Sequence, residues 1–386
     1  MKLKSISYSE FPNEPQEWVL NGLSVGMKTL LVGKNASGKT RTLNLLDGIA
    51  KIFSGLSEPL VTGAFDCHFE GEGQEYKYHV ACKEGKVVEE RLVIDGIEKI
   101  TRSLGGIGKI YADVKGEYLD FQTPESEFAI VARRDSIQHK YIEPLYEWGS
   151  MAKCYHFGAS LAQANYVMLS PSAPPVNERD ENAVAGIFKK GQKEFPGDFE
   201  TTIVRDMAAV GYDIDSVCLD QPYLFKYNPL VLPQILGLCV KEKSRKAQTD
   251  QQQMSAGMFR VLAILIHINY LVLKKSMTCI LIDDIGEGLD FERSSQLIRL
   301  LREKAEQASF QLVMSTNDRF VMDEVPLDEW TVLQRSGGEV KVRNIDNSRA
   351  AFEEFKFTGL SNFSFFELNL VDGSLQEERD GDSPHA

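Results

Sequence analysis

From Lys2 to Tyr8 polar and apolar side chains alternate, which predicts a strand with one buried face. Thr29-Leu30-Leu31-Val32 is apolar almost throughout, as a central strand covered on both faces would be. That run feeds directly into a Gly-rich turn, Gly33 to Thr40. Leu43, Leu46 and Ile49-Ala50 then recur at helical spacing within Arg41 to Phe53. Between Ala64 and Gln122 the pattern becomes short β-type runs, among them His68-Phe69, Tyr76 to Val80 and Leu92 to Ile94, separated by Gly and Glu. An antiparallel meander is predicted, with turns at Asp95-Gly96 and Gly105-Gly106.

Pro124 to Leu273 reads as mostly helical, interrupted by loops around Ser170 to Pro175 and Glu194 to Gly197, and has the character of an inserted lobe. The polar stretch Lys241 to Gln253 precedes a long apolar helix, Phe259 to Leu273. Thr278 to Ile282 is a buried-strand run that stops on Asp283-Asp284. A helix over Glu292 to Glu306 and a strand over Phe310 to Met314 complete a βαβ unit. The residues after Leu375 are acidic and polar and are expected to be disordered. Neither an internal repeat nor a sustained heptad pattern is present, so a long coiled coil is not expected.

Composition narrows the picture. The chain has 386 residues, enough for two lobes, with 43% hydrophobic and 26% charged residues, close to globular averages. A net charge of -13 argues against a surface built for non-specific nucleic-acid binding, although a local basic groove stays open. The first residues lack the apolar core of a secretory leader, and no uninterrupted apolar stretch reaches the roughly 18–20 residues that span a bilayer. A cytoplasmic protein without a membrane partner is expected. Cys67, Cys82, Cys154, Cys218, Cys239 and Cys279 are scattered, which fits reduced, packed thiols rather than a metal or redox site.

The chemistry concentrates in three places. Gly33-Lys34-Asn35-Ala36-Ser37-Gly38-Lys39-Thr40 matches the pattern G-x-x-x-x-G-K-[ST] in full, between an apolar strand and a helix. Its glycines let backbone N–H groups turn around phosphates, and the helix N-terminus adds partial positive charge. Lys39 is expected on the β- and γ-phosphates of ATP, and the Thr40 hydroxyl on Mg²⁺. Asp283 ends an apolar strand, where a carboxylate can hold that Mg²⁺, and Asp284 stands where a hydrolytic base would meet water. Met254-Ser255-Ala256-Gly257-Met258-Phe259-Arg260 opens the apolar helix just before this strand, so Ser255 and the free N–H groups form either an anion-binding helix start or an ordinary Ser cap.

The order of these segments resembles the ABC/SMC-type ATPases: P-loop, long insertion, Met254 to Gly257, Asp283-Asp284-Ile285-Gly286-Glu287-Gly288-Leu289-Asp290, then Ser315-Thr316-Asn317-Asp318. The resemblance implies an α/β fold, an ABC-type P-loop ATPase head with an antiparallel β subdomain and an inserted helical lobe. It implies that Ser255 and Gly257 of one subunit complete the ATP site of another, that Leu289-Asp290 crosses the dimer interface, and that Asn317 falls where a switch loop usually presents His. Asp284 replaces the usual Glu, so slow hydrolysis is expected; Glu287 is a second candidate base, or a solvated turn residue. Gln122 is the candidate for the metal- and water-sensing glutamine. The expected organisation is 1–123, nucleotide-binding lobe with P-loop and meander; 124–253, mostly helical insertion; 254–375, the remaining ATPase motifs; and 376–386, acidic tail.

The phrases Gln253 to Arg260, Ser315 to Phe320 and Phe357 to Phe363 are similar to short stand-alone ATPases of bacterial anti-phage and toxin-linked operons, relatives of the Septu, retron-associated and OLD ATPases. That likeness implies an ATP-gated homodimer, or higher oligomer, regulating a separate effector. Only about 70 residues follow the Thr316-Asn317-Asp318 segment, too few for an ordinary extra domain, so a nuclease or toxin is expected on another chain. Competing readings are a RecF-like dimer clamping DNA, a transporter ATPase, and a scaffold that binds ATP with little turnover. His156, His267 and Arg133-Arg134-Asp135 read as packed, hydrogen-bonded or ion-paired residues.

Overall fold

The computed structural model describes residues 1–156, 163, 165–169, 175–222 and 234–372. The tail 376–386 and all of the loop at Ser170 to Pro175 except Pro175 lie outside them. The chain opens with β1 (Lys2–Glu10), β2 (Trp18–Ser24) and β3 (Lys28–Val32), then α1 (Lys39–Phe53). A meander follows: β4 (Thr62–Gly71), β5 (Gln74–Lys83), β6 (Lys86–Ile94), β7 (Ile97–Arg102), β8 (Ile107–Ala112) and β9 (Glu117–Gln122). The inserted stretch carries α2 (Ala129–Ala132), α3 (Glu143–Met151), β10 (Lys153–Tyr155), β11 (Val167–Leu169), α4 (Val184–Glu194), α5 (Asp198–Ala209), β12 (Ile214–Asp220), β13 (Gln234–Glu242) and β14 (Thr249–Asp250). The remainder comprises α6 (Ala256–Lys274), β15 (Cys279–Ile282), α7 (Phe291–Ala308), β16 (Gln311–Ser315), α8 (Arg319–Glu324), β17 (Trp330–Ser336), β18 (Glu339–Asn344), α9 (Arg349–Lys356) and α10 (Asn362–Glu367).

Among the described residues one sheet of 14 strands runs β10-β15-β16-β3-β17-β18-β2-β1-β4-β5-β6-β7-β8-β9. From β10 to β17 neighbouring strands are parallel, and from β1 to β9 they are antiparallel. The continuous apolar runs have a geometric cause. On β3, Leu30 and Val32 enter one hydrophobic core while Leu31 enters the other; on β15, Ile280 and Ile282 face the first core and Cys279 and Leu281 the second. A strand buried on both faces has no polar side to show. Helices α4 to α7 supply the first core, and α1, α3 and the meander the second.

The Asp95-Gly96 turn forms as expected: both residues have positive φ, 50° and 80°, the conformation that joins two twisted strands by a two-residue loop. The stretch 124–253 departs from its mostly helical reading. Strands β11 to β14 build a second, small sheet, and β10 joins the edge of the large one. Helix α6 is long and apolar enough to cross a bilayer, yet most of it is buried within the fold. Its apolar residues are core residues.

Candidate nucleotide site

The phosphate loop leaves β3 at Gly33, where a Cβ would sit 2.4 Å from Ser37 Oγ and 2.7 Å from the Leu333 carbonyl, so only glycine fits. Ala36 (φ 64°) and Gly38 (φ 104°) turn the backbone through the left-handed region before α1 begins. Lys39 is buried and donates to the carbonyls of Gly33 (2.7 Å) and Lys34 (3.4 Å), spanning the loop. Burial lowers its pKa, against the pull of the Asp284 and Asp283 carboxylates. The buried Ser37 hydroxyl has no hydrogen-bond partner among the described residues. A loop with an orphaned hydroxyl and an ammonium holding only backbone oxygens fits a polyphosphate.

Lys34, as part of this loop, is exposed beside Asn35. Asn35, Ala36, Ser37, Gly38, Lys39 and Thr40 line a cleft of about 420 Å³ that also reaches Asp284 and Asn317. Asp283 lies just beyond the end of β15, buried, and accepts a hydrogen bond from Ser315 Oγ. The same hydroxyl accepts from the Asp284 N–H at 2.9 Å, so one atom places both acids. Asp284 holds an uncommon positive φ of 47°. Burial, and next the adjoining Asp283 carboxylate, raise its pKa, while Lys39 opposes them. Asn317 Nδ2 donates to Asp284 Oδ1 at 3.3 Å. Thr40 and Asp283 are oxygen donors suited to Mg²⁺.

Glu287 takes another position. Arg260, from the first turns of α6, donates to the Glu287 carbonyl (2.8 Å), its carboxylate (3.2 Å) and the Asp284 carbonyl (2.7 Å). An ion pair thus occupies Glu287, whereas Asp284 faces the cleft. Asp290 caps α7, accepting from the Arg293 N–H at 3.0 Å. Ser255 caps α6 through the Met258 N–H (3.2 Å), and the residue is exposed. At Gly257 a Cβ would come within 3.0 Å of the Gly288 carbonyl, so the start of α6 packs on the Gly288-Leu289 loop. Neither Ser255 nor Gly257 lines this chain's own phosphate cleft.

Gln122 does not belong to the group. It ends β9, the far edge strand of the sheet, with nine strands between it and β3, and donates to the Gly105 carbonyl at 3.3 Å. Strand order corrects that assignment, because the strand beside β15 is β10. There Tyr155 pairs with Ile282, and the Asp283 N–H donates to the Tyr155 carbonyl at 2.9 Å. His156, next along, therefore stands beside Asp283; its Nε2 lies 2.9 Å from Asn44 Oδ1, one helical turn past Thr40. Its backbone N–H donates to Glu181 at 2.6 Å. Residues 177–182 strap this corner together: Arg179 reaches Asp47 (3.4 Å) and the Gly149 carbonyl (2.6 Å), and Glu178 holds Lys190 (2.6 Å) and Lys274 (2.7 Å). Ser315, Arg260 and His156 carry no spacing signal that reasoning from sequence could have used.

No known family pattern matches the chain, and no curated protein does. Solved structures do. An SMC head bound to the C-winged helix domain of ScpA aligns over 89% of this chain and 97% of its own, at 12% identity and a TM-score of 0.52. The fold is that of an SMC-type, ABC-class ATPase head. SMC heads from Thermotoga maritima (14% identity, 89% of this chain and 99% of that one, TM-score 0.47) and Pyrococcus furiosus (12%, 92% and 99%, 0.49) also align. At these identities the likeness concerns the fold.

Proposed function

We propose that the chain binds ATP with Mg²⁺ in this cleft and hydrolyses it slowly between two copies of itself. The observation that carries the reading is the division of the chemistry. Lys39, Thr40, Asp284 and Asn317 meet in one cleft, while Ser255 and Gly257 stand outside it at the start of α6. Lys39 would turn from the loop carbonyls to the β- and γ-phosphates. Thr40 and Asp283 would hold Mg²⁺, which neutralises charge building on the phosphates. Asp284, its basicity raised by burial, would accept the proton of the attacking water, oriented by Asn317. The second copy's Ser255 hydroxyl and helix start would close over the γ-phosphate.

Ser255→Arg tests this. Each monomer should bind ATP as before, while the ATP-dependent dimer, followed by light scattering in a hydrolysis-blocked background, should not form. A normal dimer in that variant sinks the shared site. We infer further that the dimer controls a separate effector in anti-phage defence. What supports this is the likeness of the three quoted segments to such ATPases, and the solved SMC head that carries a partner's domain. Loss of phage protection in cells carrying Lys39→Ala, or its persistence, decides that role.

A further inference from the structure

A second cleft, of about 650 Å³, opens on the other side of the phosphate loop, between the end of β17, the β17–β18 hairpin and α10. Lys34, Arg335 and Lys341 line it, and no carboxylate does among the described residues. On a chain with net charge -13 such a concentration of one sign is a local inversion of the field. Neither lysine has a carboxylate partner among the described residues. The hairpin is held in shape: Arg335 Nε donates to the Gly337 carbonyl at 2.8 Å, and Gly338 abuts Glu17, where a Cβ would lie 2.5 Å from the carbonyl oxygen.

Cations alone would specify any anion. Here half-buried Phe366 adds an aromatic wall, Val332 an apolar one, and Gln334 and Asn369 bring amides to the same space. A flat π-surface for a base, amides at its edge and cations for a phosphate are the components of nucleotide recognition. Asn35 to Ser37 and Arg335 are common to both clefts, whereas Lys39, Thr40 and Asp284 line only the first and Lys34, Lys341 and Phe366 only the second.

We propose that this cleft is a second site, taking a nucleoside phosphate, with Lys34, Arg335 and Lys341 on the phosphate and Phe366 against the base. A free nucleotide and the end of a nucleic-acid strand share that chemistry. The site rests on the ATP reading only in giving the first cleft to ATP. Because both ligands lean on one loop, each alters the other's affinity by the same factor.

Binding of AMP and of a 12-nucleotide single strand to the full chain, by calorimetry and anisotropy, tests it. Lys39→Ala should lose ATP and keep one or both probes. Lys341→Glu should weaken the probes about tenfold or more, in a salt-dependent way, and leave ATP affinity within about threefold. Phe366→Ala should weaken the probes without the salt dependence. Tighter binding of the strand than of AMP assigns a nucleic-acid end, and the reverse a free nucleotide. Three results overturn the proposal: neither probe binding at millimolar concentration, Lys39→Ala removing ATP and probes together, or Lys341→Glu weakening ATP as much as AMP, which would make the cleft an extension of the first. A wild-type chain that does not bind ATP defeats the ATP reading instead, and leaves the probe measurements standing.

Discussion

The parallel and antiparallel halves of the large sheet obey opposite rules. On β15, β16 and β3 nearly every side chain is buried, whereas β5 and β6 bury alternate residues and turn polar ones such as Lys77, His79 and Arg91 outward. A strand covered on both faces can present chemistry only where it ends. That is why Gly33, Asp283 and Thr316 follow the last residues of β3, β15 and β16, close together at one edge. The meander, free on one face, turns its charges out along its length, and Asp66, His68, Lys77, His79 and Arg91 line a cleft on the face of the strands rather than at their ends.

The sharpest way to break this contrast is Lys39→Ala. Removing the buried ammonium that lines the phosphate cleft should reduce ATP turnover at least about a hundredfold, read as phosphate release, because backbone donors alone leave the β/γ charge unbalanced. Unchanged turnover would deny the parallel edge its role. Asp284→Asn comes next: nucleotide binding should persist, a dimer should accumulate, and single-turnover hydrolysis should fall about a hundredfold, the usual worth of a general base. Glu287→Gln should retain more activity, since its carboxylate pairs with Arg260. The opposite ranking moves the base to Glu287.

A matched pair of core truncations sharpens the comparison. Leu281 and Leu92 are both buried, one next to the acids and one in the meander. Each Leu→Ala change should cost about 2–5 kcal/mol in denaturant unfolding, yet only Leu281→Ala should also weaken ATP binding. Equal effects on binding would show that the halves are not separable. The smallest effect concerns pH. Burial alone would raise the Glu178 carboxyl, but Lys190 and Lys274 carry it down to about 2. A depressed folded value gives stability present above the unfolded carboxylate range and lost as pH falls towards 2. Glu178→Gln should therefore flatten the acid limb of a melting-temperature profile below about pH 4.5 and leave neutral pH little changed. An identical acid limb in both proteins would remove Glu178 from the acid sensitivity.

Residues that announce themselves over short spans were legible. The phosphate loop and the Asp283-Asp284 strand end each combine a local pattern with a local geometry. Gln122 was misplaced because its assignment depends on strand order, which joins residues far apart in sequence. Strand β10 escaped notice for a related reason: three residues, one of them a buried lysine, give no periodicity to read. The strands β12 to β14 were hidden inside a stretch whose flanking helices dominate the pattern. The lock made by Arg260 on Asp284 and Glu287 spans 24 and 27 positions and exists only once α6 and β15 pack.

That lock has a consequence for the assembly. Arg260 lies on the helix whose first residue follows Ser255, and it grips the backbone of Asp284, the proposed base. In the proposed dimer closed around two nucleotides, the helix that would touch the neighbour's γ-phosphate would thereby be bolted to the acid beside its own. Each half would feel whether the other is loaded: cooperativity in nucleotide binding written into a single guanidinium, with equal influence in both directions.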